Sequence, residues 1–131
     1  MKMLIVEDDF TSRLALQNFL ARYGECHVAV NGKEAVEAIG LALDSGQPYE
    51  LVCMDILMPE MDGKEAVSRI RDLEETHGIL SSHGAKIIMA TAVDDCASVV
   101  KSFKELCDAY LFKPIDMRQL LETMQRLKLV G

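Results

Sequence analysis

Five short apolar, β-branched runs punctuate the chain, at 3–6, 26–30, 51–54, 86–90 and 109–112, and each is followed by a longer segment with helical spacing. This alternation predicts an α/β fold, a parallel sheet covered by helices on both faces and joined by right-handed crossovers. Runs that are apolar without a break fit strands buried on both sides, because a half-exposed strand would alternate.

The helical segments carry their own start and stop signals. The first is predicted over 10–23 and stops at Gly24. The second opens at Asn31 with Glu34, the third at Asp62 with Glu65, and the fourth spans 95–106. The fifth shows one apolar stripe, Met117, Leu120, Leu121, Met124 and Leu127, behind Asp116 and Gln119. Two connections are long, 43–50 and 76–85, and read as surface loops, the most mobile parts of the chain. No repeat or linker divides the 131 residues, so a single domain over 1–131 is expected.

Composition removes several function classes. With 14 Lys and Arg against 21 Asp and Glu the formal charge is −7, which argues against a general nucleic-acid backbone binder. No apolar run approaches the roughly 18 residues of a membrane span. The run at 3–6 ends at Glu7-Asp8-Asp9, too short for a signal-peptide core. Cys26, Cys53, Cys96 and Cys107 are scattered without metal-like spacing, as expected of reduced thiols in a cytoplasmic protein. His27, His77 and His83 are likewise too dispersed for a metal site.

In an open α/β sheet, ligands bind beyond the carboxyl ends of the strands. The residues there are Glu7-Asp8-Asp9 after the first strand, Asp55 after the third, Thr91 after the fourth and Lys113-Pro114 after the fifth; Val30-Asn31-Gly32 after the second is only a turn and cap. Several carboxylates at one edge repel each other, and a hard divalent ion such as Mg²⁺ relieves this while keeping waters for a phosphate. Lys113 offers a positive charge and Thr91 a hydroxyl, both suited to phosphoryl oxygens. Asp55 between them could serve as a nucleophile that forms an aspartyl phosphate. The constellation reads as phosphoryl transfer.

These residues fall in four stretches, LIVEDD at 4–9, MDILMPEMDG at 54–63, MATA at 89–92 and YLFKPI at 110–115. In order and spacing they resemble the receiver domain of two-component response regulators, of the type of the single-domain chemotaxis regulator. The resemblance implies a flavodoxin-like, doubly wound three-layer fold, with strand order 2-1-3-4-5 and five helices. It makes Asp55 the phosphoacceptor and, from the spacing to Arg13, Glu7 and Asp8 the acidic pair. Asp55 and the carbonyl of Leu57 complete the expected Mg²⁺ site, while Asp9 is left to the start of the helix. Thr91 and Lys113 are expected on the phosphoryl group, Ala92 as the small residue that allows access to it, and Tyr110 as an aromatic switch that follows Thr91. The Lys113-Pro114 bond is expected to be cis.

Partners implied are a histidine kinase or histidine phosphotransfer protein, and a downstream protein or second copy on the face of the fourth helix, fifth strand and fifth helix. Neither nucleic-acid contact nor membrane insertion is expected, and the role is that of a signalling switch rather than an enzyme. Leu57 and Val93, two beyond Asp55 and Thr91, are apolar and unable to orient an attacking water, which points to a long-lived phosphoryl group.

Plainer readings stand beside these. Asp9 fits a helix cap, residues 58–63 a turn and helix start, and Tyr110 core packing; Lys101, Lys104 and Arg118 fit a solvated face. A haloacid-dehalogenase phosphatase wants an acid at position 57, and a flavodoxin-like flavin site would have its phosphate repelled by Glu7-Asp8-Asp9. An unphosphorylated pseudo-receiver, and a phosphorelay receiver cut from a hybrid kinase, remain open.

Overall fold

The computed structural model describes residues 1–56, 61, 63–80, 83–91 and 106–131. Its strands are β1 (Lys2–Val6), β2 (Glu25–Ala29), β3 (Leu51–Asp55), β4 (Lys86–Thr91) and β5 (Ala109–Phe112), all parallel in the order β2-β1-β3-β4-β5. Its helices among the described residues are α1 (Phe10–Leu20), α2 (Gly32–Asp44), α3 (Gly63–Thr76) and α4 (Met117–Arg126). The expected sheet and strand order are observed. Four of the five expected helices are described; the fourth predicted one, over 95–106, lies outside the described residues except for Leu106.

Each strand sends alternate side chains to opposite faces. Leu4, Val6, Val52, Met54, Ile87 and Met89 pack with Ala35 and Ile39 of α2 and Ala66, Val67 and Ile70 of α3. Met3, Ile5, Leu51, Cys53 and Ile88 pack on the other face with Leu16 and Leu20 of α1 and Leu120 and Met124 of α4. Every residue of β3 is buried, as its unbroken apolar run requires. Among the described residues no helix is long and apolar enough to cross a membrane.

Caps set the helix starts. Asp9 accepts the Ser12 N–H at 2.8 Å, and Asn31 accepts the Glu34 N–H at 2.8 Å. Glu34 reaches back to the Val30 N–H at 3.2 Å, one residue further than a capping box requires. At α4, Asp116 accepts from Arg118 N–H. α1 ends at Leu20 rather than at position 23, because the Tyr23 N–H bonds Leu20 and tightens the last turn.

The end of the connection over 76–85, at Gly84-Ala85, is anchored more firmly than its composition implied. Glu74 is 5% exposed, and its carboxylate accepts the Ala85 N–H at 2.7 Å and Arg71 Nη1 at 2.7 Å. Arg71 donates further to the carbonyls of Leu106 at 2.8 Å and Ala85 at 2.9 Å and to Asp108 at 3.1 Å. Asp108 in turn accepts the Ile87 N–H. A Cβ at Gly84 would come within 2.7 Å of the Glu74 carboxylate, so the loop passes there only as glycine. This network ties α3 to the amino ends of β4 and β5.

Replacing Arg71 by Met would leave Glu74 buried and short of its cation. Urea denaturation of Arg71→Met is expected to show a loss of about 3–5 kcal/mol, the range for breaking a buried ion pair from one side. A loss below about 1 kcal/mol, the range for exposed pairs, would show that the network is not the anchor described.

Candidate functional site

Parallel register brings the carboxyl ends of the strands to one edge. Val6 lies opposite Ala29 and Met54, Asp55 opposite Ala90, and Thr91 opposite Phe112. Glu7 leaves β1 at an interior position of the sheet, between β2 and β3, its N–H donating to Ala29 O at 3.1 Å. It therefore emerges between neighbouring strands and is only 2% exposed, while Asp8, one residue on, faces solvent. Asp55 is 7% exposed and Thr91 2%.

Lys113 reaches both buried carboxylates, with Nζ 2.8 Å from Asp55 Oδ2 and 3.0 Å from Glu7 Oε1. Its backbone N–H donates to Thr91 O at 2.8 Å, which fixes the end of β5 against the end of β4. The Lys113-Pro114 bond is cis, as expected. Thus Glu7, Asp8, Asp55, Thr91 and Lys113 all lie at one edge. Asp9 stands apart as the α1 cap. Tyr110 lies on β5, 37% exposed, opposite Met89, so it shares a sheet face with Thr91 two residues further along β4. Leu57, Ala92 and Val93 lie outside the described residues.

Charge is unbalanced here. Burial pushes the Glu7 carboxyl up to about 7, and the Asp55 carboxylate beside it adds to the rise against the opposing pull of Lys113. Burial works against the Lys113 ammonium, but its hydrogen bonds to Asp55 and Glu7 prevail and raise its pKa. At the α1 cap, the hydrogen bond from Ser12 N–H holds Asp9 below the usual carboxylate range.

One oxygen each from Glu7, Asp8 and Asp55 lie within 4.8 Å of one another. Glu7 Oε2 is buried and accepts no hydrogen bond. A buried carboxyl oxygen without a partner, converging with two other carboxylates, fits a hard divalent cation such as Mg²⁺. Among the described residues this is the one grouping of three or more such metal-ligating side chains.

Two glycines make close backbone approaches, Gly63 at the end of β3 and Gly32 at Met61, that local sequence does not reveal, where Gly32 reads as part of a turn and cap and Gly63 as a helix start. A Cβ on Gly63 would sit 2.6 Å from Asp55 O, and the Gly63 N–H closes on Ile56 O at 2.8 Å. A Cβ on Gly32 would meet Met61 O at 2.2 Å, where the Gly32 N–H donates to the same oxygen. The motif that carries Gly63 was visible, but the close backbone approach was not.

The chain belongs to the response regulator receiver domain family, whose model matches residues 3–125. The transcriptional regulatory protein SrrA of Staphylococcus aureus is 32% identical over 121 residues, 92% of this chain and 44% of that protein. The chain thus spans less than half the length of the curated relatives it matches. The receiver domain of the histidine kinase CKI1 from Arabidopsis thaliana, complexed with Mg²⁺ and BeF₃⁻, superposes with a TM-score of 0.83 at 28% identity, covering 97% of this chain and 89% of that one. A chain from the co-crystal structure of the Saccharomyces cerevisiae histidine phosphotransfer signaling protein Ypd1 and the receiver domain of its downstream response regulator Ssk1 gives 0.80 at 28% identity, covering 97% and 88%.

The raised Glu7 pKa carries a sign. Between pH 4.5 and about 7 the folded, metal-free protein holds a proton that the unfolded chain has released, so this group makes stability fall as pH rises. The span corresponds to about 3 kcal/mol. Glu7→Gln mimics the protonated form, so urea denaturation in EDTA should show the variant more stable than wild type at pH 8 and nearly equal at pH 5. A variant less stable at pH 8 would contradict the assignment.

Proposed function

We propose that this receiver domain accepts a phosphoryl group on Asp55 from a histidine kinase or histidine phosphotransfer protein, in a Mg²⁺-dependent reaction, and thereby switches a protein-binding surface. One observation carries the reading. A buried Asp55 carboxylate at a strand end is held 2.8 Å from Lys113 within a cluster of three carboxylates that fits a divalent cation.

An Asp55 oxygen attacks phosphorus as the P–N bond to the donor imidazole breaks, and the electron pair of that bond returns to the ring nitrogen. Lys113, already beside Asp55, follows the new negative charge, and the Thr91 hydroxyl donates to a phosphoryl oxygen. Bound Mg²⁺ would supply charge neutralisation at the phosphoryl oxygens. Glu7 and Asp8 would hold it together with Asp55, and the family resemblance adds the Leu57 carbonyl and gives Ala92 the role of leaving access. The domain assists its own modification and is a signalling switch, not a turnover enzyme.

A donor must approach along the strand ends. An open cavity of about 450 Å³ lies there between α1 and the β5–α4 connection, lined by Thr11, Ser12, Ala15, Ile115 and Met117 beside Glu7 and Lys113. The Ypd1–Ssk1 co-crystal structure supports a histidine phosphotransfer protein as one class of donor. On the output side, Tyr110 and Phe112 are exposed on β5 and Tyr110 is the proposed switch, on the surface that the fourth predicted helix, β5 and α4 would share with a partner or second copy. Reduced Cys26 and Cys53 support a reducing, cytoplasmic setting.

Intact-mass measurement after incubation with acetyl phosphate is expected to show one added phosphoryl group that requires Mg²⁺ and is absent in Asp55→Asn. A wild-type protein that stays folded, binds no Mg²⁺ and gains no mass would favour the pseudo-receiver instead. In the same assay Leu57→Asn should shorten the lifetime of the adduct, since an amide can orient the attacking water. An unchanged lifetime would remove the apolar residue at 57 as the cause of persistence.

A further inference from the structure

We infer that Arg13 is a positioning residue for the acidic pair: it fixes the peptide between Glu7 and Asp8 and thereby sets the cation affinity of the cluster. This rests on the reading of that cluster as a divalent-cation site.

The β1 ladder to its neighbours ends at Val6, and the Glu7 N–H makes one last bond to Ala29 O. The next peptide, between Glu7 and Asp8, has left the sheet and not yet entered α1. Its carbonyl, Glu7 O, accepts from Arg13 Nη1 at 3.1 Å. A peptide is planar, so fixing its carbonyl also fixes the direction in which the chain continues to Asp8. That matters most for Asp8, the solvent-exposed member of the cluster, which lacks the tight packing that holds Glu7 and Asp55.

Arg13 is itself well held. Its backbone N–H donates to Asp9 O at 2.9 Å in the first turn of α1, and its guanidinium lies 5.5 Å from the centroid of the Phe10 ring. Phe10 is 66% exposed, which gives this aromatic ring a use other than core packing. The guanidinium geometry also matters, since a planar fork held over a ring can aim one N–H at a carbonyl in a way an ammonium does less well.

Electrostatics alone predicts the opposite of positioning. The Arg13 guanidinium sits on the carbonyl of Glu7, a member of the acidic cluster, so removing its positive charge should strengthen cation binding if charge were its only contribution. If Arg13 positions the acidic peptide, removing it weakens binding despite the loss of repulsion. The sign of the change separates the two.

The test is calorimetric titration with Mg²⁺ alone of wild type, Arg13→Gln and Arg13→Lys, together with melting curves of the metal-free proteins. Arg13→Gln is expected to bind roughly tenfold more weakly, the scale of losing an outer partner of a metal ligand. Arg13→Lys, which keeps the charge and one donor, should recover part of that loss, and metal-free melting temperatures should stay close to wild type. Equal or tighter Mg²⁺ binding by Arg13→Gln, with wild type binding, overturns the inference and leaves the cation-site reading standing. Wild type that binds no Mg²⁺ overturns that reading and this inference with it. A loss of affinity in both variants that is matched by a collapse of their metal-free melting temperatures also overturns it, because Arg13 would then be holding α1 rather than the acidic pair.

Discussion

A carboxylate buried to within 2% of complete exclusion from solvent, with one oxygen lacking any partner, is destabilising, and the active edge of this protein is organised around that group. Glu7 is there because β1 occupies an interior position in the sheet and ends at Val6, so the next side chain has strands on both sides. Lys113 is shared between Glu7 and Asp55, and one ammonium cannot satisfy two carboxylates and leave Asp8 compensated as well. The two apolar layers of the sheet hold the edge together in spite of this cost. A cation that bound the folded state alone would recover the cost as affinity.

The opposite edge solves the same problem differently. Glu74 is nearly as buried as Glu7, yet both of its oxygens are used, one by Arg71 and one by the Ala85 N–H. Arg71 in turn spends its donors on two carbonyls and a second carboxylate. A saturated buried network of this kind rigidifies, whereas an unsaturated one remains responsive to a ligand. The amino ends of β4 and β5 are thereby held fixed, while the carboxyl ends of the same strands carry Thr91 and Lys113. The asymmetry concentrates responsiveness where the chemistry lies.

How far the sequence revealed this follows from the range of each interaction. Strand positions were legible because burial on both faces leaves an unbroken apolar run, and the strand ends were legible because polarity begins there at Glu7, Asp55, Thr91 and Lys113. Caps at Asp9, Asn31 and Asp116 are local and were equally readable. Arg71 and Glu74 were not, since two charged residues three apart on a helix look like a solvated pair. Only contacts to Ala85, Leu106 and Asp108 distinguish them, and nothing local encodes those. The approach of Gly63 to the Asp55 carbonyl was hidden for the same reason, and so was the hydrogen bond from Arg13 to Glu7 O.

In the proposed reaction the consequence of adding charge at Asp55 follows from these constraints. A phosphoryl group there would be a stronger partner for the Lys113 ammonium than Glu7 is, so the lysine side chain would shift its allegiance toward Asp55. Its backbone has little freedom to follow, because the Lys113 N–H is bonded to Thr91 O and β5 is paired along its length with β4. Movement is therefore directed into side chains at the strand ends, with the Thr91 hydroxyl drawn toward the phosphoryl oxygens. Tyr110 shares a sheet face with Thr91 on the adjacent strand and is exposed, so in the proposed switch it is placed to carry a change at Thr91 to the surface. Exchange of this kind between two packed arrangements is what allows a sub-ångström shift at a site to become a change of surface. A fixed backbone would make the proposed switch discrete, since side chains that cannot share a displacement with the main chain must settle in one rotamer or another.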